Sequence, residues 1–357
     1  MKLLSPLLFS LFVLLACDSQ NNNNTNPAAV SDSNKFQHSI LSFGTIIDVT
    51  VIGVDASQAQ QAFTILEEDF KYWHRVWNPW LKGPLSRVNS LIPTKAAFNL
   101  PLHLIPLIEQ SQGYYQQSEG LFNPAIGQLI NLWRFHEHKQ AHKQPPDEQQ
   151  IQALISARPT MQQLHLQNIQ LQSENENVLL NFGAFAKGYA IERSIKTLQN
   201  LGIENAVINA GGDLKVLGQH HDRAWRIGIR HPRDKSAMLA SVQASDHESV
   251  FTSGDYERYF IFNDKRYNHI LDPRTGYPAD LSQSVTVIHA DAGRADAAAT
   301  ALFVAGPEHW HRIAKKMGIK FVLLVAANGE VHMNPAMAKR IQLNLPDAAS
   351  VKISDTL

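Results

Sequence analysis

Between Thr252 and Thr300 the chain brings together an imidazole, several turn-forming segments and a carboxylate–hydroxyl pair at helical spacing. Asp296 and Thr300 lie four residues apart in the run Ala-Asp-Ala-Ala-Ala-Thr-Ala-Leu, whose residues favour helix, so both oxygens fall on one face. A carboxylate and a hydroxyl so placed suit a hard cation such as Mg²⁺, which takes oxygen ligands and keeps waters or substrate phosphates. The turn signals Ser253-Gly254-Asp255 and Asp272-Pro273-Arg274-Thr275-Gly276 set His269 and Asp272 near the rim of a strand. Metal, imidazole and turn backbone together point to phosphate chemistry. The plain alternatives are a solvated helix face and a hydrogen-bonded structural histidine.

Two earlier segments add to the set. Val178-Leu-Leu-Asn-Phe182 reads as a short strand that turns through Gly183-Ala184 into a helix passing Lys187. Free N–H groups and the positive end of a helix dipole at such a junction suit a phosphate, and Lys187 adds a charge. Gly211-Gly212, closing the run Ala206-Val-Ile-Asn-Ala210, either lets backbone approach a ligand or makes an ordinary hairpin turn. Trp77-Asn-Pro-Trp80 is an aromatic loop able to stack a flat ligand or to lid the core.

The elements that must position these residues alternate without regular βαβ winding. Strands are predicted at Thr45–Ile52, Trp225–Ile229, Met238–Gln243, Ser284–Ile288 and Phe321–Val325, and in the runs flanking Ser253-Gly254-Asp255. Helices are predicted through Ala62, Leu66, Phe70 and Trp73, over Leu102–Gln117, and from Asn123-Pro124 through Trp133. The fold class is therefore α+β, mixed and antiparallel sheets with packed helices. His136, His138 and His142 fall in a polar run that reads as a solvated loop rather than a metal site. No internal repeat, Walker loop or G-x-G-x-x-G fingerprint is present.

The chain has 357 residues, and its 32 Lys and Arg balance 32 Asp and Glu, with no basic stripe; nucleic acid is not a predicted partner. After Lys2 an apolar run from Leu3 to Leu15 is too short to span a bilayer and fits a signal segment. It ends in Leu14-Leu15-Ala16-Cys17, which resembles a bacterial lipobox whose cysteine becomes the lipidated N-terminus. Asp18 resembles an inner-membrane retention signal, so the expected location is the periplasmic face of the bacterial inner membrane. The expected organisation is a signal peptide at 1–17, a flexible Asn/Ser-rich tether at 18–35 and one domain at 36–350. Cys17 is the sole cysteine, so no internal disulfide is possible.

The ordered motifs resemble the ApbE family of Mg²⁺-dependent FAD:protein FMN transferases: F-G-T at Phe43, L-F-N-P-A-I-G at Leu121, L-W-R-F at Leu132, G-A-F-A-K-G-Y-A at Gly183, N-A-G-G-D-L at Asn209, S-G-D-Y-E-R at Ser253, N-H-I-L-D-P-R-T-G-Y-P at Asn268 and A-D-A-A-A-T-A-L at Ala295. The resemblance implies the family's T-fold-related architecture. It implies Mg²⁺ held by the Ala184 carbonyl, Asp296 and Thr300. It implies FAD contacts at Phe43, Trp80, Leu121, Phe122, Asn123, Asn181, Lys187 and Leu271, with Gly211 and Gly212 close by, and a transfer role for His269. The implied reaction joins FMN from FAD to a threonine of an exported redox protein, such as a subunit of a NADH:quinone oxidoreductase, and releases AMP. Alternatives are a Mg²⁺-dependent FAD pyrophosphatase and a non-catalytic flavin-binding lipoprotein. This chain departs from the family in Phe43 for Met, in Asn123 and Asn181 for Asp, and in Arg134 for Gly.

Overall fold

Strand after strand joins the central sheet in the order the chain makes them. A computed structural model describes residues 34–137, 144–345 and 350–357. Nine strands run Lys35–Ser42, Thr45–Ile52, Asn205–Ala210, Asp213–Leu217, Ser249–Gly254, Ser282–His289, Phe321–Ala326, Val331–Met333 and Val351–Ile353, and that is also their order across the sheet. All neighbouring pairs are antiparallel except the last, Val331–Met333 with Val351–Ile353, which is parallel.

One face of this sheet carries the helices. Ala56–Val76 buries Ala59, Phe63, Leu66, Phe70 and Trp73, a three-to-four spacing that makes one apolar stripe, and Asp55 caps its start by accepting from the Gln58 N–H at 2.8 Å. Ala186–Asn200 and Ala292–Lys316 pack beside it over the strands from Asn205 to His289. The first half of Ala292–Lys316 is buried almost all round and is correspondingly rich in alanine. At Gly306 (φ 68°, ψ −179°) it breaks, with Pro307 next, so it is two helices end to end. The opposite face of the sheet meets a three-stranded sheet of Ile341–Leu343, Met238–Ala244 and Trp225–Arg230, through Leu214, Val216, Val250, Leu323 and their neighbours.

The α+β expectation holds, and the strands predicted near 45, 225, 238, 284 and 321 form. Three local expectations do not. Val178–Phe182 makes only an isolated bridge, Leu179 to Ile126, because its backbone bonds to the 124–127 loop: Asn181 N–H to Pro124 O at 2.9 Å, and Gly127 N–H to Leu179 O at 2.8 Å. The helix predicted from Asn123-Pro124 starts at Gly127 instead, since Asn123 Oδ1 accepts from the Ala125 N–H at 3.1 Å and closes a turn first. The strand Ser249–Gly254 runs through the predicted turn, which begins only after it.

The compact unit spans Asn34–Leu357, so strands at both ends reach past the 36–350 expected for the domain. The signal segment, Cys17, most of the 18–35 tether, His138 and His142 lie outside the described residues. Among the described residues no helix is long and apolar enough to cross a membrane.

Candidate active site

The start of the Ala186–Asn200 helix has N–H groups with no partner inside the helix, as every helix start does. Gly188, its third residue, gives its N–H to Asp296 Oδ2 on the neighbouring helix at 2.8 Å. The two helices touch so closely there that a Cβ on Gly188 would come within 2.3 Å of Ala292 O and 2.7 Å of Asp296 Cβ. Glycine at 188 is therefore what lets a carboxylate from one helix meet the amino end of the other.

Asp296 is buried, and its second oxygen makes no hydrogen bond among the described residues. Burial, and then the Asp213 carboxylate, push its pKa up to about 7, against the pull of Lys187 and the Gly188 N–H. Lys187 pairs with one of these acids and feels the charge of the other. Its Nζ donates to Asp213 Oδ2, and Asp213 Oδ1 accepts from the Thr252 N–H at 2.7 Å. Burial works to lower the lysine's pKa, but Asp213 and Asp296 outweigh it and hold the ammonium above its ordinary value. Thr300, one turn along from Asp296, has its Oγ1 3.3 Å from Ser253 Oγ. Thr252 and Ser253 thus serve the site from the strand, one by backbone and one by side chain.

The predicted metal residues Asp296 and Thr300 share a helix face, and Ala184 stands just before the helix that Asp296 caps. Among the described residues no three His, Cys, Asp or Glu side chains gather as a metal cluster. The buried carboxylate with its free oxygen and the hydroxyl one turn on, with the Ala184 carbonyl just before the neighbouring helix as the expected third donor, offer few ligands, all of them oxygen. That set fits Mg²⁺, which binds few protein oxygens and completes its shell with water and phosphate, and it does not fit zinc or a soft metal. A buried acid with its pKa near 7 also gains from a cation that stabilises its charged form.

Gly211 (φ 68°) and Gly212 (φ 107°) make the two-residue hairpin that joins Asn205–Ala210 to Asp213–Leu217. Gly212 has open space where a side chain would be, whereas a Cβ on Gly211 would strike Thr45 Oγ1 at 2.4 Å. Thr45 follows a second positive-φ hairpin, Phe43-Gly44, so two backbone turns stand side by side at one end of the sheet. Phe43 stacks at 6.3 Å on Trp77 and receives His74 edge-on. Trp77 is core: it stacks on Trp73 and leans on Tyr189. Trp80 is the half-buried member of the aromatic loop, and it stacks on His136 with ring centres 4.4 Å apart.

His269 is half-buried, and its Nδ1 is buried without a partner. Burial first, then Arg258 and Lys187, press its pKa well below the usual histidine value, so the ring is a neutral base at pH 7. Other predicted residues are committed elsewhere. Asn123 bonds to Pro159 O and Ala125 N–H, and the Asn181 Oδ1 accepts from Gly183 N–H at 2.8 Å. Leu121, Phe122 and Leu271 are buried apolar residues. Asp272 is a brace, tied to Arg274 at 2.7 Å.

Sequence reasoning passed over Asp213, Arg258 and His136. The signal for Asp213 was present: two like-facing charges, Asp213 and Lys215, in a strand whose five residues are otherwise apolar and all buried. The polar run around His136 predicts a solvated loop, yet His136 stacks on Trp80. Two surface clefts, one at Arg233, Asp255, Arg266 and Asn268 and one at Arg226, Ser241 and Arg340, are not lined by Asp296, Thr300 or Lys187. In the first the charges already satisfy each other, with Arg233 bidentate on Asp255 at 2.7 Å.

Comparison with known proteins bears directly on this arrangement. The ApbE family profile matches residues 43–323, a span that takes in every site segment from Phe43 to Thr300. The chain belongs to the ApbE family and is by class a transferase. A FAD:protein FMN transferase of Rhodobacter capsulatus is 37% identical over 304 residues, which are 84% of this chain and 57% of that protein. A FAD:protein FMN transferase of Klebsiella pneumoniae is 32% identical over 286 residues, 78% of this chain and 85% of its own. The crystal structure of the ApbE protein of Thermotoga maritima superposes with a TM-score of 0.76 at 27% identity, covering 83% of this chain and 96% of that one.

Proposed function

We propose that this protein transfers the FMN moiety of FAD to a threonine hydroxyl of an acceptor protein in a Mg²⁺-dependent reaction that releases AMP. The observation that carries the reading is the meeting of Asp296, Lys187 and Asp213 at the amino end of the Ala186–Asn200 helix, in a chain of this family. In the reaction the threonine oxygen bonds to the FMN-side phosphorus, the bond from that phosphorus to the bridging oxygen breaks, and AMP departs with that oxygen. Bound Mg²⁺, held by Asp296, Thr300 and the Ala184 carbonyl, supplies neutralisation of the diphosphate charge.

The protein's own groups do the rest. The Lys187 ammonium binds phosphate oxygens with the N–H groups of Ala184 and Lys187, since Gly183, Phe185, Ala186 and Gly188 already donate to Asn181, Phe182 and Asp296. The Gly212 backbone, with no side chain in the way, lets the ligand lie close to the sheet end. His269, neutral and with Nδ1 unpartnered, takes the proton of the attacking hydroxyl. Trp80 offers a flat face to a ring of the dinucleotide.

We further read the acceptor as an exported redox subunit, of the kind found in NADH:quinone oxidoreductases. Cys17 is then a lipid anchor that holds enzyme and acceptor on the periplasmic face of one inner membrane. The deciding experiment mixes the purified full-length protein with FAD, Mg²⁺ and a candidate acceptor. The expected result is AMP release with denaturant-resistant flavin fluorescence on one acceptor threonine. Free FMN and AMP with every acceptor tried would instead establish a pyrophosphatase, and FAD left intact a carrier.

A further inference from the structure

Each element that brings a charged group to the site also brings a polar group to a second cluster beside it. The helix with Lys187 also carries Glu192, the strand with Asp213 also carries Lys215, and the helix with Asp296 begins at Ala292. Lys215 is only 3% exposed, and its Nζ lies 3.0 Å from Glu192 Oε2. The same carboxylate oxygen accepts from the Ala292 N–H at 3.1 Å, and the same ammonium donates to the Ala290 carbonyl. One ion pair therefore holds both sides of the link by which the chain enters the metal-bearing helix.

A buried ion pair is a poor device for stability alone, because well-packed apolar residues serve as well or better. What an apolar pair cannot do is bind a carbonyl and an N–H two residues apart and so set where a helix begins. Ala292 lies one turn before Asp296, so its position fixes the depth at which that carboxylate meets Gly188. Lys215 and Asp213 are two apart on a strand and share a face, so the same clamp also sets the lysine–carboxylate pair. We propose that Glu192 and Lys215 are positioning residues, which hold the helix of Asp296 and Thr300 in register with Lys187 and Asp213 so that a divalent cation and a diphosphate bind together. This rests on the function proposed above.

The test is the full-length double variant Glu192→Gln/Lys215→Met, which removes both charges together and leaves no lone buried ion. Mn²⁺ serves as the probe, since its free-ion paramagnetic signal reports binding without turnover. The expected result is Mn²⁺ affinity weakened roughly tenfold and kcat lowered to a similar degree, with FAD KM raised alongside and native circular dichroism retained. Wild-type Mn²⁺ affinity and kcat in the folded variant would overturn the proposal and leave the pair a packing feature. If the double variant does not fold, Lys215→Met alone is read in its place. It removes the ammonium that holds the Ala290 carbonyl, and wild-type values there overturn the proposal equally. A wild-type protein that binds Mn²⁺ but never labels an acceptor would sink the proposed transfer and leave the clamp standing on its metal readout.

Discussion

The N–H of Gly188 donates to Asp296 Oδ2 at 2.8 Å across a gap that admits no side chain. That contact locks the amino end of the Ala186–Asn200 helix to the carboxylate proposed to hold the metal. Gly188→Ala should separate the two helices, at a cost of roughly 1–3 kcal/mol typical of overpacking. Urea unfolding will show the loss, and Mn²⁺ titration of the folded fraction will show weaker binding. A variant as stable and as tight-binding as wild type would mean that the helices are not held where the structure has them.

Asp296→Asn keeps the shape and an oxygen for the Gly188 N–H but removes the charge. Turnover in Mg²⁺ should fall on the order of a hundredfold or more, as for loss of a principal electrostatic group. Metal-free stability should hold or rise, because a costly buried carboxylate becomes a neutral amide. Scanning calorimetry with and without Mg²⁺ separates the effects: the wild type gains stability on adding metal and the variant does not.

His269 gives the pH dependence. Its pKa is depressed in the folded protein, so the unfolded chain takes up its proton first as pH falls. Stability from the neutral ring is therefore complete above the ordinary histidine pKa of about 6.5 and is lost as pH falls from there towards the folded value. His103, His136, His220 and His289 are depressed too, so the readable quantity is wild type minus His269→Gln in unfolding free energy. That difference should shrink between pH 8 and pH 5. The same substitution should lower kcat by about a hundredfold or more and change FAD KM little, as expected of a group that moves a proton in the transition state. Equal losses in both would make it a binding residue.

Cys17→Ser should abolish incorporation of labelled palmitate and shift the protein from membrane to soluble fractions, since stable anchoring takes more than one acyl chain on that residue. Sedimentation with membranes after a salt wash would exclude a lipid anchor as the attachment.

Short-range signals carried much of this site. Asp296 and Thr300 needed only helical spacing, and Gly211-Gly212 needed only the demand of a tight turn for positive φ. The bonds that make a site of these pieces are long-range, and no window of sequence contains them. Gly188 and Asp296 are 108 residues apart, and Thr252 reaches Asp213 across 39. The predicted strand at Val178–Phe182 failed for the same reason: its β-forming residues lost their hydrogen bonds to a loop more than fifty positions earlier. Trp77 and Trp80 differ only in what surrounds them. One continues the helix stripe into the core, and the other lies past a proline, where the partner that covers it comes from His136.

The central sheet grows in chain order, and this has a consequence for a protein being made from its amino end. Each strand up to Ser249–Gly254 can pair with one already synthesised, so the early sheet, its two glycine hairpins and the lysine-bearing helix assemble as the chain lengthens. Asp296 and Thr300 arrive afterwards, on a helix that fills the space left beside that assembly. A nascent chain can thus build the half of the site proposed for the diphosphate before it owns the half proposed for the cation; on that proposal, chains stopped short of residue 292 should bind no Mn²⁺ however long they persist.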